Sequence, residues 1–388
     1  LESGHEFPYP VFFKLSALIH LFVSPETAVA IATMLLNSLA IVLTKLAFDR
    51  LIPGGLQTNG SVGTLAKNSW IAGVITSFLA VSLFFVSMLF PPAGIYLPGI
   101  QYNYLGVFTP NPFHNATYMA ARPFAILAFL CFVKILPVYE EGVRRGEKKS
   151  GVFPTDYIFF SVFLLLATMT KPSFTLVLVS TAGLIMLYRL IRSGFRNFMP
   201  TVQFGLTFVP TFVDLLYQDK GVFMPGDGTE GGVGFSFGEV WSQYCTNLPL
   251  AICLAVGFPL AVLLCNFKEC KKNTMFLFSW QLYAVSFAEA FFLYEKGFRK
   301  FDFNFSWGYI CGIFFCHFVA LVVLMRATIN LMAVKPEESS DAAGGLKGLL
   351  QKRQVRVLLV VLQWLAYAWH LACGLYYFSG IFAGKMYY

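Results

Sequence analysis

The chain has 388 residues, 57% of them apolar and only 12% charged, and it carries 43 Phe. A soluble domain is roughly a quarter charged, so too few polar residues remain to cover a water-facing surface. This excludes a soluble enzyme, a disordered chain and a nucleic-acid-binding module. The net charge of +8 reads instead as the basic cytoplasmic loops of a membrane protein.

The expected fold class is all-α, a polytopic transmembrane helical bundle of about 10 membrane helices in one integral-membrane domain over 1–388. Gly and Pro interrupt apolar runs of helical length, whereas barrel strands would show short alternating segments. A short run, 11–23, opens the chain. Ser24-Pro25-Glu26 is a helix start, with Ser as N-cap, Pro in the first turn and Glu at the positive end. Full-length candidates follow at 26–47, 69–90 and 116–137. Two shorter runs, 157–169 and 173–191, lie back to back around Thr170-Lys171-Pro172-Ser173 as a short intramembrane pair. Further candidates cover 198–217, 248–266, 274–294, 307–329 and 356–380. Residues 221–238 form a Gly-rich outer loop and 335–352 a polar cytoplasmic linker. No fixed-period repeat and no inverted pair of broken helices is visible. The run 11–23 is too short to span and is expected to lie obliquely at the outer face, with an upstream helix ahead of Leu1 bringing the chain out. The eight cysteines show no CxxC and no metal-ligand spacing, so they read as small buried hydrophobes and no metal is expected.

Basic residues set the orientation. Arg144, Arg145, Lys148 and Lys149 share one loop, and Lys268, Lys271 and Lys272 share another. Arg189, Arg192 and Arg196 follow the short pair, while Arg326, Lys335, Lys347, Lys352, Arg353 and Arg356 cluster late in the chain. Placing these on the cytoplasmic side leaves loop 91–115, which has no Lys, Arg, Asp or Glu, on the outer side. The rising limb 157–169 reaches only about 20 Å at 1.5 Å per residue, so Lys171 is expected inside the outer half of the membrane. A cation at that depth is tolerated only against protein or a watery cavity.

The polar residues expected on the outer side are few. They are His5 and Glu6, then His114, Asn115 and Arg122, then Lys171, then Glu289, Arg299, Asp302 and Asn304. Ionisable residues in such places are functional candidates. Several cations with one or two carboxylates suit transfer of a group from a lipid-linked phosphate donor. Cations hold the phosphate and the charge that develops on the leaving group, and a carboxylate takes a proton from an acceptor hydroxyl. Each residue also has a plainer reading. Glu6 is otherwise a solvated acid, and Asn115 caps the next helix with His114 in its turn. Arg122 and Lys171 otherwise snorkel or pair internally, and Glu289 forms a structural ion pair with Arg299 or Arg122.

The pieces FPYPVFFKL at 7–15, SPETAVAIATMLLNSLAIVLTKLAFDRL at 24–51, NPFHNATYMAARPFAIL at 111–127, TMTKPS at 168–173 and FAEAFFLYEKGFRKFDFNFSWGY at 287–309 resemble the GT-C superfamily of integral-membrane glycosyltransferases. The resemblance implies a polyprenyl-phosphate sugar donor, a glycan, lipid or protein acceptor, and an active face on the extracytoplasmic side of the cell membrane. It also implies an acidic residue in the first outer loop, for which Glu6, with His5, is the nearest candidate. On that reading His114, Asn115, Arg122, Lys171, Glu289, Arg299, Asp302 and Asn304 bind substrate. No particular cofactor is implied. Competing readings are a secondary transporter or lipid-linked-glycan flippase, and an O-antigen polymerase or ligase using a pyrophosphate donor.

Overall fold

The computed structural model describes residues 9–52, 69–89, 105–222, 232–333 and 353–384. They are overwhelmingly helical. In chain order the helices are α1 (Pro10–His20), α2 (Pro25–Leu51), α3 (Ser69–Leu83), α4 (Ala116–Ile135), α5 (Glu141–Arg144), α6 (Pro154–Thr170), α7 (Ser173–Arg192), α8 (Phe198–Leu206) and α9 (Val209–Val222). They continue as α10 (Glu239–Ser242), α11 (Leu248–Ala255), α12 (Gly257–Cys265), α13 (Phe267–Cys270), α14 (Thr274–Phe292), α15 (Ser306–Ala333) and α16 (Arg353–Phe382). The sheet among the described residues is a two-stranded antiparallel ribbon of β1 (Val233–Phe235) and β2 (Leu293–Glu295), with Gly234 opposite Tyr294.

Six stretches are long and apolar enough to cross a membrane: α2, α4, α7, α14, α16 and Arg299–Ala333. Two bent pairs, α8 with the first turns of α9 and α11 with α12, raise the number to eight. The chain is therefore an integral-membrane helical protein. Helix α2 shows why. Ser24 Oγ accepts the Thr27 N–H at 3.3 Å and its carbonyl accepts the Ala28 N–H at 2.9 Å, so the expected cap forms. Ala28, Ala32, Leu36 and Ala40 line its buried face, while Met34, Leu35, Leu39 and Val42 point outward. An apolar residue facing out at nearly every turn suits a helix whose solvent is lipid.

Three expected segments differ in detail. The run 198–217 bends by 47° and the run 248–266 by 66°. Pro210 and Pro259 lack the N–H that would continue the ladder across each break. The run 69–90 stops as a helix at Leu83, because Asn111 Nδ2 donates to the carbonyls of Leu83 and Val86, both at 2.9 Å.

Contacts divide the chain into two compact units. The first comprises Leu1–Leu43, Phe113–Gln243 and Trp280–Gly312. Its core pairs α4 with α6 around Phe132, Phe160 and Phe204, whose ring centroids lie 5.3–5.8 Å apart. Phe12 of α1 packs into a cluster with Ala32, Leu36 and Ala120. Trp241 is fully buried with its ring 4.7 Å from Tyr309 and 5.5 Å from Phe303.

The second unit comprises Thr44–Pro112, Tyr244–Ser279 and Ile313–Tyr388. Residues 313–325 of α15 are buried throughout, with Phe318 stacked on Phe48 at 5.2 Å. The break between α11 and α12 is stapled by His370. Its Nε2 accepts the Phe258 N–H at 3.0 Å and its Nδ1 donates to Ser87 O. This contact fixes the neutral tautomer. Neighbouring His317 donates through Nδ1 to Ile313 O at 3.0 Å, and its Nε2 meets no partner. Replacing His370 with Leu leaves a buried N–H and a buried carbonyl unsatisfied, at about 1–3 kcal/mol each. His370→Leu should therefore unfold markedly earlier than wild type in detergent thermal melts. His317→Leu, which strands one self-satisfied carbonyl, should cost less.

Candidate functional site

Helix α6 ends because Lys171 precedes Pro172. A residue before proline is driven out of the helical region, and Lys171 is extended at φ −166° while its N–H still reaches Ala167 O at 2.9 Å. The chain then restarts as α7 at Ser173. This two-residue turn swings the Lys171 side chain into a cavity of about 410 Å³ in the first unit. Leu215, Leu216 and Gln218 of α9 line one part of it. Glu289 of α14, Glu295 of β2, Arg299, Asn304, Phe305, Trp307 and Gly308 line another, with Tyr9 at the start of the described chain.

Two backbone features shape the second wall. Phe303 adopts φ 51°, left-handed for a non-glycine residue, at a cost on the order of 1 kcal/mol. Its burial against Trp241 holds it there, and the turn presents Asn304 and Trp307 to the cavity. At Gly308 a Cβ would stand 2.5 Å from Val177 Cγ2 and 3.9 Å from Glu289 Oε2. Only glycine lets α15 approach α7 so closely beside that carboxylate.

The charges divide unequally. Arg299 Nε lies 3.3 Å from Glu295 Oε2 and 3.4 Å from Asp302 Oδ2. Asn304 Nδ2 donates to Glu295 Oε2 at 2.8 Å. This network is closed on itself. Lys171 differs: it is 8% exposed, and among the described residues no carboxylate lies within 4.0 Å of its ammonium. It has a long contact to Thr117 Oγ1 at 3.5 Å and sits 4.7 Å from the Trp307 ring centroid and 5.8 Å from that of Tyr9. Cation–π contacts soften the burial of a cation but leave its charge in place. Glu289 has no ion-pair partner among the described residues.

The sequence candidates separate accordingly. Lys171, Glu289, Arg299 and Asn304 line one cavity. Asp302 stands behind Arg299 as its second carboxylate. The His114 ring lies 5.5 Å from the Trp307 ring and does not itself line the cavity. Asn115 Oδ1 accepts the Tyr118 N–H at 2.8 Å and the Thr117 hydroxyl at 2.9 Å, so it caps α4. Arg122 is buried within α4 over the Tyr118 ring at 4.8 Å, away from the lining. His5 and Glu6 lie outside the described residues, as do most of the Gly-rich loop and the linker. Sequence reasoning singled out neither Gln218 nor Trp307, because each ends or starts an apolar segment in the manner of an ordinary interfacial residue.

Lys171→Met removes the buried charge. Without ligand, near neutral pH, this variant should be more stable than wild type by about 1–3 kcal/mol. Thermal unfolding of both proteins in detergent checks this; equal or lower stability of the variant contradicts it.

No family model, curated protein or solved structure matches the chain.

Proposed function

We propose that the protein is a membrane glycosyltransferase that moves a sugar from a polyprenyl-phosphate donor to an acceptor on the extracytoplasmic face of the cell membrane. The observation that carries this reading is the buried Lys171 ammonium with no carboxylate within 4.0 Å among the described residues, in a cavity that also holds Glu289, which has no ion-pair partner among them. A phosphodiester brings one negative charge, which answers the one charge of Lys171. Trp307 and Tyr9 offer aromatic faces for a sugar, and Leu176, Leu215 and Leu216 offer an apolar side for the first prenyl units. A volume of about 410 Å³ falls in the range of about 300–1,000 Å³ usual for small-molecule sites.

In this reaction the acceptor oxygen attacks the anomeric carbon and the carbon–oxygen bond to phosphate breaks. The bonding pair stays on the phosphate, where Lys171 stabilises it. The acceptor proton passes to a carboxylate, either Glu289 in the cavity or Glu6 of the N-terminal segment. Arg299, held by Glu295 and Asp302, keeps the Asn304–Trp307 wall in position.

The purified protein supplied with polyprenyl-phosphate hexoses and candidate acceptors should form a covalent product. Lys171→Met should lower kcat/KM by about 100-fold or more, equivalent to about 3 kcal/mol of transition-state stabilisation, while remaining folded. Arg122→Ala should alter stability more than turnover. The two bent helix pairs favour a second reading, because transporters build their sites on broken helices. Substrate flux across proteoliposomes with no covalent product would decide for that reading.

A further inference from the structure

The ribbon of β1 and β2 presents an apolar face outward. Successive residues of a strand point to opposite faces. Val233, Phe235 and Phe237 take alternate positions along β1 and its continuation, where the Ser236 N–H donates to Phe292 O at 2.9 Å and the Gly238 N–H to Phe291 O at 2.8 Å. All three are exposed, Phe235 by 62% and Phe237 by 76%. Gly234 between them is buried, and a Cβ there would stand 2.3 Å from the Tyr294 ring. The rings of Phe235, Phe237 and Phe292 pack on one another with centroids 5.2–5.7 Å apart. The outward face is therefore a contiguous aromatic cluster, of the kind that water-facing surfaces avoid and that marks an interaction site.

The connections fix the depth of this cluster. Strand β2 starts at Leu293, the residue after α14 ends, and α14 is long and apolar enough to cross a membrane. The next such stretch starts at Arg299, four residues beyond the end of β2. The ribbon thus sits where two spans reach the membrane surface. Charged side chains share that level. Lys296 is exposed, and Lys300 Nζ lies 2.6 Å from Glu239 Oε1 and 4.9 Å from the Tyr294 ring centroid. Aromatic rings interleaved with lysines are the composition of the headgroup zone. A short ribbon with open edges and lysines is excluded from the hydrocarbon itself.

We infer that Val233, Phe235 and Phe237 seat the ribbon in the lipid interface of the leaflet beside the end of α14. The surface takes bilayer lipid, and this assignment stands apart from the sugar-transfer reading. It has a consequence for the cavity. Val233 lies directly opposite Glu295 across the ribbon, and Glu295 lines the cavity and holds Arg299 and Asn304. Lipid contact on one strand therefore sets the depth of the cavity wall carried by the other.

The test places a fluorescent amino acid at Phe235 or Phe237 of the full chain, in vesicles of phosphatidylcholine with or without bromine on the acyl chains near the headgroup. The same label at Lys148, exposed in the polar loop between α5 and α6, serves as the water-facing reference. Brominated lipid should quench the labels at 235 and 237 strongly, and iodide in the buffer should quench them several-fold less than the label at 148. If a labelled ring position fails to fold, Val233 carries the same readout. Quenching by iodide equal to that at 148, with none from brominated lipid, places the face in water and overturns the inference. Protection from both quenchers means that protein covers the face, either another part of this chain or a second copy, and overturns it equally.

Discussion

A lysine ammonium taken out of water costs several kcal/mol unless something answers its charge. In the first unit nothing within 4.0 Å among the described residues does so for Lys171. The Lys-Pro step at the end of α6 forces the side chain off the helix, and the cavity walls from α9, α14 and α15 close around it. The neighbouring Arg299 is already neutralised by Glu295 and Asp302. Stability alone would favour an apolar side chain at position 171. Sites that give up stability in this manner are typically sites of function, and on the proposed reading the answering charge is the phosphate of the donor.

The surrounding architecture shapes the cavity around Lys171. Phe303 accepts a left-handed backbone so that Asn304 and Trp307 face the cavity. Gly308 gives up a side chain so that α15 can lie against α7 beside Glu289. The ribbon of β1 and β2 carries Glu295 into the wall. In the second unit the polar side chains are used differently. His370 and Asn111 satisfy backbone groups freed at helix ends and at a break. That use is structural: irregular backbone in an apolar protein needs internal partners.

Much of this was legible from residue order. Hydropathy located the long helices, and Ser24 and Asn115 announced their capping roles. The TKPS turn marked Lys171 because proline after lysine fixes the local backbone whatever surrounds it. Helix continuity was less legible over 198–217 and 248–266, since a proline inside an apolar run bends one helix and is absorbed in another. Pro123, for example, sits inside an unbroken α4. Partnership was not legible at all. Arg122 and Arg299 look alike in sequence, yet one is buried over Tyr118 and the other is paired with two carboxylates at the cavity. The bond from Gln218 Nε2 to Thr168 O exists only because α9 passes α6 there, which no local pattern encodes.

The most direct measurement is an experimental structure of the protein with a short-chain prenyl phosphate bound. The account requires phosphate density within hydrogen-bonding distance of Lys171 Nζ, with the prenyl chain leaving along Leu176, Leu215 and Leu216. Phosphate bound elsewhere, or a Lys171 ammonium found paired with a carboxylate of the protein itself, would contradict it.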